Sequence, residues 1–303
     1  MVTASRSGIV PANGIQIAFE ASGNPGHRPL LLVMGLGAPM FLWHPDLCAL
    51  LAERGFFVIR YDNRDVGRST HLRDAPEPDV RAAMRQGDVS SASYSLDDMA
   101  EDGFGLLDAL DLAAAHVLGI SMGGMIVQTM AARRPERVLS LTSVASTPAP
   151  SLTNPKPEAM AALMLPPVTS REASIAQAVE VSRIIGSPGF PPDEKWRAEL
   201  AGMIWDQGPD PAGRMRQLMA INASGDRSEA VRGIRVPALV VHGDSDPLID
   251  VAAGQRTAQL IDGAELLVIP GMGHDLPRQI WPVLADAVVK VADQAGPSRT
   301  SAA

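Results

Sequence analysis

Hydrophobic residues along the chain fall into two alternating kinds of segment. Short, nearly continuous apolar runs, Pro29–Met34, Phe56–Tyr61, His116–Ile120 and Val138–Val144, are followed late in the chain by Ala238–His242 and Leu266–Ile269. Runs of that length and density predict strands buried on both faces of a parallel sheet. Between them lie longer segments with helical spacing. Pro45–Arg54 carries Leu47, Leu50 and Leu51 and stops at Gly55. Ser95 and Asp98 form a capping-box pattern that opens a helix to about Leu110. Gly123–Arg134 and roughly Ile280–Val291 are two more. The strand–helix alternation predicts an α/β class with a central sheet.

From about Pro148 to Gly233 the rhythm breaks. Prolines and glycines crowd this stretch, helical pieces occur around Ile175–Ile185 and Asp193–Trp205, and no buried strand stands out. The expected organisation is a core in two parts, 1–147 and 234–294, a helical cap inserted at 148–233, and a frayed tail at 295–303.

Composition narrows the function classes. The chain of 303 residues is 46% hydrophobic and 20% charged, which suits a large globular core. A net charge of −8 with scattered lysines and arginines speaks against nucleic acid or anionic membrane as partner. The single cysteine, Cys48, allows no internal disulfide, and no His/Cys cluster has structural-metal spacing. Met1–Gly14 holds no stretch suited to a signal peptide, so a cytoplasmic protein is expected, as a monomer or homodimer.

The candidate chemistry begins at His116-Val-Leu-Gly-Ile-Ser121-Met-Gly-Gly-Met125, which runs from a strand into a helix and contains G-x-S-x-G as Gly119, Ser121 and Gly123. A serine at a sharp strand-to-helix turn needs glycines two residues to either side, because side chains there would collide. The motif alone is weak, and the strand–turn–helix context discriminates. A serine hydroxyl also needs a base. Of six histidines, only His274 follows the last predicted strand in a Gly-rich loop, at the carboxyl edge where α/β sheets place their sites. An acid must orient the imidazole. The turn Gly243-Asp244-Ser245-Asp246-Pro247 offers Asp246, favoured, and Asp244. The oxyanion donors would be the backbone N–H groups of Met122 and, from Gly35-Leu36-Gly37, Leu36.

These motifs, with Val33-Met-Gly-Leu-Gly37, Ile59–Ser69 and Ile269-Pro-Gly-Met-Gly-His274, resemble those of the α/β-hydrolase superfamily, and within it the actinobacterial carboxylesterase/lipase group related to aclacinomycin methylesterase. The resemblance implies a Ser-His-Asp hydrolase of small to medium hydrophobic esters, with a helical cap and no cofactor or metal. One departure is visible: Met34-Gly35 stands where many relatives have His-Gly. Thioester, lactone or carbon–carbon hydrolysis and cofactor-free perhydrolysis would use the same triad, and a ligand-sensing protein could share the fold.

Beside these readings stand plainer ones. Asp62, Arg64, Gly67 and Ser69 read as a structural turn, and Cys48 as a buried, inert thiol. Met34, Met40, Met122, Met125, Met160, Met164, Met203 and Met219, with Trp43, Trp196 and Trp205, are either pocket lining or general packing.

Overall fold

A computed structural model describes residues 6–295. The end of the expected tail, 296–303, lies outside them. Eight strands form one sheet: β1 (Arg6–Ala12), β2 (Ile15–Ser22), β3 (Arg28–Val33), β4 (Phe56–Tyr61), β5 (Ala115–Ile120), β6 (Val138–Val144), β7 (Ala238–Gly243) and β8 (Glu265–Ile269). Their order is β1-β2-β4-β3-β5-β6-β7-β8; β2 runs antiparallel to both its neighbours, β1 and β4, and β3 to β8 all run parallel. Eleven α-helices are described: α1 (Pro45–Glu53), α2 (Val80–Gln86), α3 (Leu96–Ala109), α4 (Met122–Arg133), α5 (Pro157–Leu163), α6 (Arg171–Ile185), α7 (Glu194–Gln207), α8 (Pro211–Ser224), α9 (Ser228–Arg232), α10 (Val251–Leu260) and α11 (Trp281–Asp293).

Successive side chains of a strand point to opposite faces, and the core divides accordingly. Leu31, Val33, Ile59 and Val117 pack under α3, α4 and α10, while Leu30, Leu32, Val58 and Leu118 pack under α1 and α11. A strand that must satisfy both layers has no room for a polar face, which explains the continuous runs. The exception is β8 at the sheet edge, where Leu266 is 41% exposed. It was expected to be buried on both faces; with no strand beyond it, only one flank is covered.

The chain also opens with a hairpin that the apolar runs did not reveal. Its signal is weaker: the alternation of Ile15, Ile17 and Phe19, and Asn13-Gly14, both at positive φ, at the turn. Helix α3 begins with the expected capping box, Ser95 and Asp98 each bonding the other's backbone. Five helices, α5 to α9, stand between β6 and β7, where the sequence pattern predicts two helical pieces. No described helix is long and apolar enough to cross a membrane.

The connections leaving β3 and β5, adjacent in the sheet, run in opposite directions, to β4 on one side and β6 on the other. Their carboxyl ends therefore flank a topological switch point, where a doubly wound sheet opens a crevice.

Candidate active site

Both sides of that crevice are glycine-built. After β5 the chain turns at Ser121 with φ +58° and ψ −121°, a conformation that costs a non-glycine residue about 1–3 kcal/mol and persists only where the surroundings enforce it. A Cβ on Gly119 would strike the Gly123 carbonyl, and one on Gly123 would strike the Val33 carbonyl of β3. The two glycines let strand, helix α4 and β3 close around the serine. Gly35, after β3, lies against it from the other side, with room for a Cβ only at 3.3 Å from the Ser121 Cβ.

His274 Nε2 lies 2.9 Å from Ser121 Oγ, and His274 Nδ1 lies 2.7 Å from Asp246 Oδ2. A carboxylate only accepts, so Nδ1 carries the proton toward Asp246 and Nε2 is left to accept from the serine. The other Asp246 oxygen accepts from the N–H groups of Leu248 and Ile249, each at 2.9 Å. Asp244 instead accepts from Gly271 N–H and Ser245 Oγ, and so braces the loop.

Burial pushes the Asp246 carboxyl upward, but the His274 charge, the hydrogen bond to it and the Ile249 N–H outweigh this and hold it below the ordinary carboxylate value. For His274, burial disfavours the charged form; the Asp246 charge and hydrogen bond overcome that and raise the imidazole above its ordinary 6.5. The pair stores the proton best as imidazolium beside carboxylate, the state a base reaches on deprotonating a nucleophile.

Two backbone N–H groups on the loops beside Ser121 have no acceptor among the described residues. Met122 N–H opens α4 and has no intrahelical acceptor. In the loop after β3, Gly37 N–H is taken by Gln217 Oε1 at 2.7 Å, whereas the Leu36 N–H has no acceptor among the described residues. Gln217 is fully buried and its amide nitrogen donates to the Arg64 carbonyl at 2.7 Å, so α8 fixes this loop. Nothing in the sequence marked Gln217, which lies 180 positions from its partner Gly37.

The serine opens into a cavity of about 1130 Å³ walled by the loop after β3, the His274 loop and the inserted helices. Met34, Met125, Met160 and Trp196 line it, as does Met84 of α2, which no motif marks. Met122 and Met219 are buried in the hydrophobic packing, and Met164 and Met203 are 38% and 42% exposed. Asp62 accepts from Met40 N–H and Arg68 N–H, and Arg64 pairs with buried Asp102 at 2.6 Å, so this turn frames the loops. The Cys48 thiol is buried and pushed up to about 11 by that burial.

Asp65, His71 and Asp210 offer oxygen and nitrogen atoms close enough to share a cation. Arg216 already bonds both Asp65 oxygens, at 2.7 and 2.9 Å, and supplies the positive charge there.

A family model described as alpha/beta hydrolase fold matches residues 28–277. Rhodomycin D methylesterase DauP of Streptomyces sp. strain C5 is 29% identical, over 92% of this chain and 96% of its own. Among solved structures, the enol-lactonase from Burkholderia xenovorans LB400 superposes with a TM-score of 0.73 at 24% identity, covering 94% of this chain and all of that one. The 2-hydroxy-6-oxo-6-phenylhexa-2,4-dienoate hydrolase from Rhodococcus sp. strain RHA1 gives a TM-score of 0.74 at 19% identity, covering 96% and 99%.

Proposed function

Because the chain belongs to the alpha/beta hydrolase family, we propose that it is a carboxylic-ester hydrolase acting through an acyl-enzyme on Ser121. The observation that carries this reading is the unbroken chain of hydrogen bonds from Ser121 through His274 to Asp246, in the wall of a large apolar cavity.

His274 Nε2 takes the Ser121 proton as Oγ attacks the ester carbonyl. Charge then develops on the carbonyl oxygen, and the N–H groups of Leu36 and Met122 hold it; such donors act without reorganising. Asp246 stabilises the imidazolium. Nε2 returns the proton to the departing alcohol, leaving the acyl group on Ser121. Water, deprotonated by the same nitrogen, attacks that acyl group and releases the acid. Every proton moves through one imidazole, and no cofactor enters.

The helices α5 to α9 are the cap in this proposal, and residues of α5 to α8 form the substrate-facing wall. A cavity of about 1130 Å³ with a mostly apolar wall has room to enclose small to medium hydrophobic esters. Cytoplasmic action belongs to the same proposal and rests on the sequence.

Hydrolysis of p-nitrophenyl esters from acetate to palmitate tests it, with Ser121→Ala as the blank and methyl esters added because relatives are named methylesterases. Turnover with a chain-length optimum, lost in Ser121→Ala, is the expected result. Turnover that persists in Ser121→Ala would overturn the role of the serine.

A further inference from the structure

The loop that carries His274 is gripped from the inserted segment. His274 N–H donates to the Ile185 carbonyl at 2.7 Å, Gly189 N–H donates to the Gly271 carbonyl at 2.9 Å, and Gly273 N–H donates to Ser187 Oγ at 2.9 Å. The backbones touch: a Cβ on Gly273 would collide with the Gly186 carbonyl, and Gly189 and Gly271 face each other with no room for one.

At the centre of this contact stands Asp275, directly after His274 and 19% exposed. One of its oxygens accepts from the Ser187 hydroxyl and the other from Arg197 Nη2 at 3.1 Å. Ser187 has a single proton, which goes to Asp275, so its lone pair is what receives the Gly273 N–H. The mechanism above gives this second carboxylate nothing to do.

A loop containing Gly271 and Gly273 has wide backbone freedom, yet its imidazole must stay within hydrogen-bond reach of both Asp246 and Ser121. We propose that Asp275 is a positioning residue for His274, locking the loop to the α6–α7 connection through Ser187 and to α7 through Arg197, so that the inserted segment sets the geometry of the base. The inference rests on the esterase reading for its catalytic meaning.

The charged and titratable groups around His274 are Asp246 and His242 from the β7 side, Asp275 on its own loop, and Arg197 from α7. Asp275 adds to the elevation of the imidazole, after Asp246. Asparagine at 275 keeps the size and an acceptor but leaves Arg197 uncompensated, so the proton affinity of His274 falls.

The test is a titration of ring-labelled histidine by NMR, with the His274 signal identified by its loss in His274→Gln, run beside ester kinetics. Asp275→Asn is expected to lower the His274 midpoint and to reduce kcat by about tenfold with KM nearly unchanged. Ser187→Ala, which keeps both charges, is expected to lower kcat, and Ser187→Thr to restore it. If the wild type shows Ser121-dependent turnover, an unchanged midpoint or an unchanged kcat in Asp275→Asn overturns the proposal. If it shows none, the esterase reading has failed, and the midpoint alone decides whether Asp275 acts on the imidazole. Should Asp275→Asn fail to fold, the Ser187 pair decides.

Discussion

At the scale of single residues, Asp246 governs how His274 uses its proton. The serine can be deprotonated only by neutral imidazole, and His274 is held above its ordinary 6.5. Activity is therefore present above that raised value and lost as the pH falls through it, so the acid limb of kcat/KM lies above 6.5. Replacing Asp246 by asparagine removes the charge that raises the imidazole and also disfavours the productive tautomer. A loss of roughly 10³–10⁴ in kcat is expected, with the acid limb of the residual activity moved to lower pH. A pH–rate series on both proteins checks it, and an acid limb that stays in place would mean that Asp246 does not set the imidazole's charge.

The elements show why some glycines carry the site and others only end a helix. Gly123 sits where the first turn of α4 crosses β3, and the Val33 carbonyl occupies the space a methyl group would need. Gly55 ends α1 at φ +88° with nothing near its missing side chain. Alanine at 55 then meets only the penalty of its left-handed backbone, about 1 kcal/mol. Alanine at 123 must push two elements apart, and at least about 3 kcal/mol is expected together with loss of esterase activity. Urea unfolding of the two variants measures the contrast; equal losses would show that the clash at Gly123 is relieved without cost.

For the whole molecule, legibility in the sequence followed the range of the interactions. Ser121, Asp246 and His274 each stand past the carboxyl end of an apolar strand, with local turn chemistry beside them, and the structure brings these three together although they are far apart in the chain. The parallel core was legible because strands squeezed between two helical layers cannot hide their apolar runs. The hairpin β1–β2 escaped because a one-sided strand leaves only alternation. Helices α5 and α8 escaped because a thin layer over a cavity needs few apolar residues, α9 because five residues are too few for a period to show, and α6 buries none fully. Gln217, Ser187 and Arg197 were illegible since each acts on a loop 78 to 180 positions away.

The same long-range ties carry stability. The Arg216 and Asp65 side chains, 3% and 0% exposed, pair across 151 positions and fasten α8 to the turn after β4, with Tyr94 donating to the same carboxylate. Arg216→Met strands a buried charge and is expected to cost about 3–5 kcal/mol, whereas adding Asp65→Asn recovers part of it. Denaturant midpoints for the single and double variants decide the matter, and strictly additive losses would argue against the pair.

Gln217 on α8 holds the loop that presents Leu36, and the contacts of Ser187 and Arg197 hold the loop that presents His274. The inserted wall of the cavity and the placement of both loops are thus written on one stretch of chain. Grafting that stretch from a relative to gain a new ester would dismantle the reacting groups along with the old preference. A new preference is accordingly expected from single exchanges on the cavity wall that leave Gln217, Ser187 and Arg197 in place.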